Sequence, residues 1–171
     1  MRHSYPSQNK KQRGAAAVEF ALICLLFFTI LFAILEFGRM MYVYNTMQEV
    51  TRRGARAAVV RWIDTASQAE IRSFAFFGGT AIPAGAEVQD DDMIIEYLNQ
   101  AGNAASPQPA DPGDNLSACG DALRTAECIY SVRVSITGVS YSPMVSLFSF
   151  LGVNLPPASV TMHAESLGFE N

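Results

Sequence analysis

Histidine and cysteine are the residue types in this sequence best suited to catalysis or metal binding, and both are scarce. The chain of 171 residues has two histidines, His3 and His163, and three cysteines. His163 stands two positions before Glu165, a spacing that acid–base catalysis can use, but the spacing also suits a solvated strand face, and we favour that interpretation. The sequence lacks zinc-protease, serine-hydrolase and phosphate-loop motifs. We therefore predict no catalytic residue and no enzyme.

Metal binding is also poorly supported. Cys119 and Cys128 have one distant histidine, His163, as a possible companion, which makes a poor zinc ligand set. The run Asp90–Asp92 could bind Ca²⁺, but three acids also suit the first turn of a helix, and we favour that interpretation. We predict no metal, no cofactor and no small-molecule substrate.

A long apolar run follows a basic N-terminal arm. Residues 15–35, AAAVEFALICLLFFTILFAIL, contain one charged residue, Glu19. As a helix the run would be about 31 Å long, which matches a hydrocarbon core of about 30 Å. It is longer than the apolar part of a secretory signal and no small-residue cleavage site follows, so we expect an anchor. The basic arm favours a cytoplasmic N-terminus.

Charge differs sharply between the two parts of the chain. Residues 1–63 carry a net charge of +6, and residues 64–171 carry −10. An acidic distal part argues against nucleic-acid binding, which requires a basic face. Outside the cytoplasm Cys119 and Cys128 would meet oxidising conditions, so we predict a disulfide between them, with two free thiols as the alternative.

The N-terminal helix is predicted to continue beyond the membrane. Apolar residues recur at helical spacing after Leu35, and no proline occurs between Leu35 and Pro83. We predict one helix over residues 15–63, spanning the membrane over about 15–38. Gly54 begins a small-residue cluster with Ala55, Ala57 and Ala58. This cluster either admits another backbone or packs on the chain's own domain.

Residues 64–171 are predicted to form a small periplasmic domain, which makes the fold class α+β. Apolar and polar residues alternate over 130–137 and 158–166, which predicts two antiparallel strands on the outer half of the long helix. The apolar stretch between them, MVSLFSFLG, is a short helix or a packed loop. We further predict a short helix over 90–103, and loops over 76–85 and 106–115.

The junction between arm and helix, RGAAAVEF, resembles the class III signal of type IV-like prepilins. The stretch from residue 13 to residue 58 is similar to the TadE family, pseudopilins of the Tad (tight adherence, or Flp) pilus system. The similarity lies in GAAAVEFAL, in the EFGR formed by Glu36, Phe37, Gly38 and Arg39, and in RRGARAA, which contains Arg53, Gly54 and Arg56.

This resemblance implies processing of the N-terminus. A prepilin peptidase would cut between Gly14 and Ala15 and remove residues 1–14 as a leader. Glu19 and Phe20 would then be the fifth and sixth residues of the mature chain, as in the family. Glu19 would pair with the α-ammonium of a neighbouring subunit and set the register between helices. The alternative is that Glu19 extends alone to the membrane interface.

The resemblance implies a TadE-like minor pilin that acts in pilus assembly, and so in adherence, biofilm formation and secretion. Expected partners are the inner membrane, the prepilin peptidase, other Tad pseudopilins and pilins, and the Tad assembly platform. The subunit would sit in the bacterial inner membrane or, once assembled, at the cell surface. Filament entry, capping and initiation all fit, as does a TadF-like paralogue. The competing hypothesis is an uncleaved single-pass anchor bearing a periplasmic binding or sensor module.

Overall fold

The computed structural model describes residues 12–168 and contains three α-helices and seven short strands. The predicted basic leader lies mostly outside the described residues, including Arg2, Lys10 and Lys11. The helices are α1 (Gln12–Ala58), α2 (Thr65–Ala75) and α3 (Pro112–Gly120). The strands are β1 (Ala81–Ile82), β2 (Gly85–Gln89), β3 (Met93–Leu98), β4 (Ser131–Ile136), β5 (Ser140–Tyr141), β6 (Val153–Asn154) and β7 (Ala158–His163).

The first half of α1 stands free of the rest of the molecule. Among the described residues one helix, α1, is long and apolar enough to cross a membrane. None of its most apolar 18-residue window is buried. A helix that is hydrophobic all round and has no protein around it needs an apolar environment. The fold therefore presents a single N-terminal membrane-spanning candidate, followed by a small α+β domain as predicted.

The long helix ends at Ala58, five residues before the predicted end. Tertiary hydrogen bonds explain the difference, because the carbonyl groups of Val59 and Val60 are taken by the C-terminal segment. They accept bonds of 3.0–3.2 Å from the backbone N–H groups of Glu165, Leu167 and Gly168. Asp64 then starts α2, accepting a hydrogen bond from Ser67 N at 2.8 Å.

The outer half of α1 packs on a three-stranded antiparallel sheet of order β3-β4-β7. The central strand places Val132 opposite Tyr97 and Met162, and it places Val134 opposite Ile95 and Val160. The two predicted C-terminal strands are confirmed and run antiparallel. The core joins fully buried residues of the sheet and of α1, namely Val132, Val134, Ile136, Val43, Met47 and Val50.

The helix predicted over 90–103 is wrong. Asp90–Asp92 form a single 3-10 turn, and the chain then continues as β3. Asp92 accepts a hydrogen bond from Gln89 N at 2.8 Å, so the acids cap a turn locally. The following Met-Ile-Ile segment pairs residue by residue with β4 and buries Met93. Strand pairing and burial outweigh the helical signal of the acidic start.

Two predicted loops contain regular structure. The 106–115 loop gives way to α3 at Pro112, where Asp111 accepts a hydrogen bond from Asp114 N at 2.8 Å. Proline at the first helical turn and an aspartate cap before it are strong start signals. The 76–85 loop contains β1, which pairs with β2. The apolar stretch before β6 forms a short 3-10 helix, Ser146–Leu151, one of the two predicted forms.

Candidate functional site

The predicted processing and assembly residues lie on the first turns of α1 and are exposed. Gly14, Ala15, Glu19 and Phe20 project from the free part of the helix. A Cβ atom added at Gly14 would meet nothing within 4 Å. Within the described residues, Glu19 takes part in no ion pair. Its carboxylate therefore faces outward from an apolar helix and is available to another molecule.

Glu36, halfway along the predicted family segment, is in the opposite situation. It is 9% exposed. Its Oε1 accepts hydrogen bonds from Tyr141 Oη at 2.7 Å and from Met144 N at 2.9 Å. Tyr141 Oη also lies 3.1 Å from the main-chain oxygen of Glu36. One carboxylate on α1 thus holds the chain that follows β5.

Arg39 completes this contact from the next turn of the helix. Its guanidinium lies 3.1 Å from Glu87 Oε1 and 3.4 Å from Glu36 Oε1, and it stacks 4.4 Å from the centre of the Tyr141 ring. It also donates to the carbonyl oxygens of Ala84, at 3.3 Å, and Ser142. We call Glu36, Arg39, Glu87 and Tyr141 the Glu36–Arg39 clamp.

The clamp excludes water from its phenol. Tyr141 is 3% exposed. Burial, together with the hydrogen bond donated to Glu36, raises the pKa of Tyr141 to about 12. The phenol therefore remains a neutral donor at physiological pH. Charge-assisted hydrogen bonds of this kind fix geometry as well as adding stability, so the clamp ties β2 and β5 to one level of α1.

The other two residues of the EFGR motif take no part in the hydrogen bonds and ion pairs of the clamp. Phe37 is exposed, and a Cβ atom added at Gly38 would meet nothing within 4 Å. They therefore lie on the free surface of α1. The motif thus combines two residues that hold the domain with two that remain open to lipid or to another helix.

The RRGARAA segment packs on the chain's own domain. A Cβ atom at Gly54 would come within 3.0 Å of Met93 Sδ and 3.3 Å of Val134 Cγ1. Ala55, Ala57 and Ala58 are buried as well. Of the two interpretations left open by the sequence, the structure selects packing against the sheet. A second backbone has no access to the buried face of Gly54.

The two motif arginines differ in environment. Arg53 donates to the Phe74 carbonyl oxygen at 2.9 Å and lies over the Phe74 and Phe77 rings, 4.6 Å and 4.3 Å from their centres. Such cation–π contacts fasten α2 and the turn after it to α1. Arg56 is exposed and leaves a positive charge on the surface.

The remaining candidates lie in the outer domain. Cys119 on α3 is joined to Cys128 by a disulfide, with a Cα–Cα distance of 4.7 Å. His163 and Glu165 are exposed, and the His163 ring meets the Tyr130 ring edge-on with centres 5.0 Å apart. In the part of the chain from residue 12 to residue 168, no cluster of three or more His, Cys, Asp or Glu residues is arranged to hold a metal.

Sequence reasoning missed the partners of the clamp. Tyr141 and Met144 are more than 100 positions from Glu36, and Glu87 is 48 from Arg39. One signal was present: two opposite charges, Glu36 and Arg39, follow directly after an apolar run and need partners there. Nothing in the local sequence identifies which distant residues supply them.

Comparison with protein families gives a match to the segment that carries these residues. Residues 14–56 match the family described as TadE-like protein. Over this segment the chain is similar to TadE-like proteins. The resemblance inferred from the sequence is thereby confirmed, and the TadE-like segment begins at Gly14 and includes Glu19, the clamp residues of α1 and Gly54. Comparison with curated proteins and with solved structures gives no significant match.

Proposed function

We propose that this TadE-like chain is a minor pilin that acts in the assembly of a Tad-type pilus by packing its helix against other pilin helices. The observation that carries the proposal is the coincidence of two features on the same residues. The TadE-like match begins at Gly14, and the helix that follows is apolar, unburied and carries an outward-facing Glu19. The role is structural and involves no reaction by the chain itself.

The proposed topology follows from charge and hydropathy. The arm before the apolar run is basic, whereas residues 64–171 are strongly acidic. Since basic segments stay on the cytoplasmic side, the N-terminus lies in the cytoplasm and the α+β domain in the periplasm. The partners of the protein in the inner membrane are a prepilin peptidase, other Tad pseudopilins and pilins, and the assembly platform.

Glu19 provides the specific contact in this proposal. Cleavage after Gly14 would create an α-ammonium on Ala15, about 6 Å along the helix from Glu19. A charge at the bilayer centre costs about 2.5–3.5 kcal/mol, and less near the end of the helix. Pairing Glu19 with the α-ammonium of an adjacent subunit offsets that cost and fixes the axial position of the two helices. Phe20 lies next to it and adds an apolar contact.

The clamp supports the same role from the outer end of the helix. Glu36 and Arg39 fasten the domain to α1 at one level, and the sheet packs on the following turns. A domain fixed to its helix moves with that helix, so axial register in the membrane also sets the position of the domains. Residues 15–38, which span the membrane in this proposal, and residues 64–171 then act as one assembly unit.

Processing is the first test. Gly14→Val should leave the chain uncut, because a β-branched side chain obstructs the close backbone approach that a peptidase needs. The space around Gly14 is open, so this variant should fold normally. The measurement is the intact mass of the membrane-bound protein from cells with a Tad system.

Gly38→Val is the matched control, since its added side chain also meets open space on the same helix. It should be processed as the wild type is, with a mature chain that begins at Ala15. An uncut wild-type chain, or a mature N-terminus elsewhere, would reject the pilin proposal. An uncut chain would favour the anchored binding or sensor module.

A further inference from the structure

The surface near the outer end of the membrane segment contains a long stretch without charge. Between Arg133 and Glu165 the sequence has no Asp, Glu, Lys or Arg, although residues 64–171 as a whole carry −10. We call residues 142–153, which run from the end of β5 to the first residue of β6, the apolar loop. The apolar loop is therefore an uncharged region of an otherwise acidic domain.

The apolar loop exposes large hydrophobic side chains. Met144 is 77% exposed and Phe150 is 78% exposed, and Leu147 and Val153 are exposed as well. They lie within ten positions of one another, with Ser146 and Ser149 among the residues between them. Single exposed apolar residues are common on protein surfaces. A group of this size marks a surface that contacts a membrane or another protein.

The clamp places the apolar loop at the level of the membrane boundary. Glu36 accepts a hydrogen bond from the backbone N–H of Met144, the third residue of the loop. Glu36 directly follows the apolar run 15–35. A groove between α1 and the loop is lined by Ala33 and Phe37 on the helix and by Pro143, Phe148 and Val153 on the other side. Ala33 belongs to the membrane run, so the loop reaches back along the helix to the depth of its last turn.

We propose that the apolar loop inserts into the headgroup and upper acyl region of the outer leaflet, so that the domain contacts the lipid surface at a second point beside α1. This inference rests on the proposed membrane placement of α1. The loop surface is continuous with the unburied apolar surface of α1, which favours lipid over another protein as its occupant. Apolar side chains with interspersed hydroxyls suit this interfacial layer.

The backbone limits how deep the loop can go. Part of the loop, Ser146–Leu151, is a short 3-10 helix, in which the Phe148 N–H donates a hydrogen bond to Val145 O at 2.9 Å. Irregular backbone is not tolerated in the hydrocarbon centre, where free polar groups have no partner, but water reaches them in the interface. The expected depth is therefore shallow, with Phe150 and Leu147 as the inserted side chains.

Depth-dependent fluorescence quenching in nanodiscs tests the inference on the full chain. In a Trp62→Phe background, single tryptophans are introduced by Phe150→Trp, by Ile30→Trp as a membrane control and by Leu123→Trp as a water control. Ile30 lies in the membrane run, and Leu123 is 94% exposed on the outer domain. The three positions that receive a tryptophan are exposed, so these three substitutions do not disturb the core. Lipids brominated near the headgroup or deep in the chain serve as quenchers.

The expected result is that Phe150→Trp is quenched severalfold more than Leu123→Trp, and more by shallow than by deep bromines, whereas Ile30→Trp prefers the deep ones. Quenching of Ile30→Trp with none of Phe150→Trp would overturn the loop inference and leave the membrane anchor intact. Absence of quenching at both would reject the anchor and the loop together. Phe150→Trp shielded from aqueous acrylamide but not quenched by bromolipid would mean that a second copy or another protein covers the loop, and would also overturn it.

Discussion

Two glutamates on the same helix, Glu19 and Glu36, have opposite surroundings. Glu36 is buried and accepts hydrogen bonds from Tyr141 and Met144 of its own chain. Glu19 is exposed in an apolar run, and among the described residues it forms no ion pair. A carboxylate without a partner in lipid is costly, so its partner is expected on another molecule.

The contrast divides α1 into two functional parts. The outer part, from Glu36 to Ala58, is a structural element of the domain, with a clamp at one end and a glycine-packed contact at the other. The inner part has no such contacts and presents its whole surface. Substitutions in the outer part should therefore destabilise the monomer, whereas substitutions in the inner part should affect assembly and processing.

Loss of Glu36 should have the largest effect on folding. Glu36→Ala leaves the Met144 N–H without an acceptor and leaves the Tyr141 hydroxyl only the main-chain oxygen at position 36, which should cost about 2–4 kcal/mol of unfolding free energy. Hydrogen exchange of the apolar loop in nanodiscs measures this, with faster exchange at Met144 expected. Glu49→Ala, at an exposed position of α1, is the control and should change little. Unchanged protection of the loop would show that the clamp does not hold it.

Removal of the disulfide should have a comparable effect that is confined to the outer domain. Replacing Cys119 and Cys128 by serine should cost roughly 2.5–3 kcal/mol in the chain-entropy model. Thermal unfolding measures the loss, and Cys24→Ser in the membrane run is the control. Wild-type protein from intact cells should resist thiol alkylation at the pair. Full alkylation there would contradict both the disulfide and the proposed periplasmic location.

Two glycines on α1 give a smaller but well-matched comparison. Gly54→Val forces new atoms against Met93 and Val134, and overpacking of this kind costs about 1–3 kcal/mol. Gly38→Val adds the same atoms in open space and should not destabilise the domain. Thermal unfolding of the two variants in the same nanodiscs is the measurement. Equal stability would mean that the contact between α1 and the sheet is looser than its distances indicate.

The sequence allowed the parts of the fold with strong local patterns to be predicted. Alternation through Val132, Val134 and Ile136 predicted β4, and uninterrupted hydrophobicity predicted the exposed half of α1. The acidic triplet before Met93 misled, because its turn signal is the same whether a helix or a strand follows. Pairing with β4 decides that case, and pairing is a long-range property.

The candidate site divides in the same way. Gly14, Glu19 and the EFGR motif were recognisable as candidates in the sequence, because they occur at fixed positions around an apolar run. The clamp was not, since its energy comes from Tyr141 and Glu87 meeting Arg39 across a folded domain. The choice between the two interpretations of Gly54 also depended on the folded structure. A small residue is consistent with any close neighbour, and only the fold shows that the neighbours are Met93 and Val134.

In the proposed function Glu19 acts between molecules, whereas Glu36 holds contacts within one molecule. Glu19→Gln should therefore have the smallest effect on folding of these changes, with unfolding free energy within about 0.5 kcal/mol of wild type. The amide keeps the shape but loses the charge-assisted pairing with a neighbour's α-ammonium. Pilus-dependent adherence is measured in a deletion strain complemented with this variant, alongside intact mass and membrane abundance, and Glu49→Gln is the control. Glu19→Gln alone should show normal cleavage after Gly14, normal abundance and strongly reduced adherence. Full adherence with normal cleavage would show that Glu19 does not act between molecules.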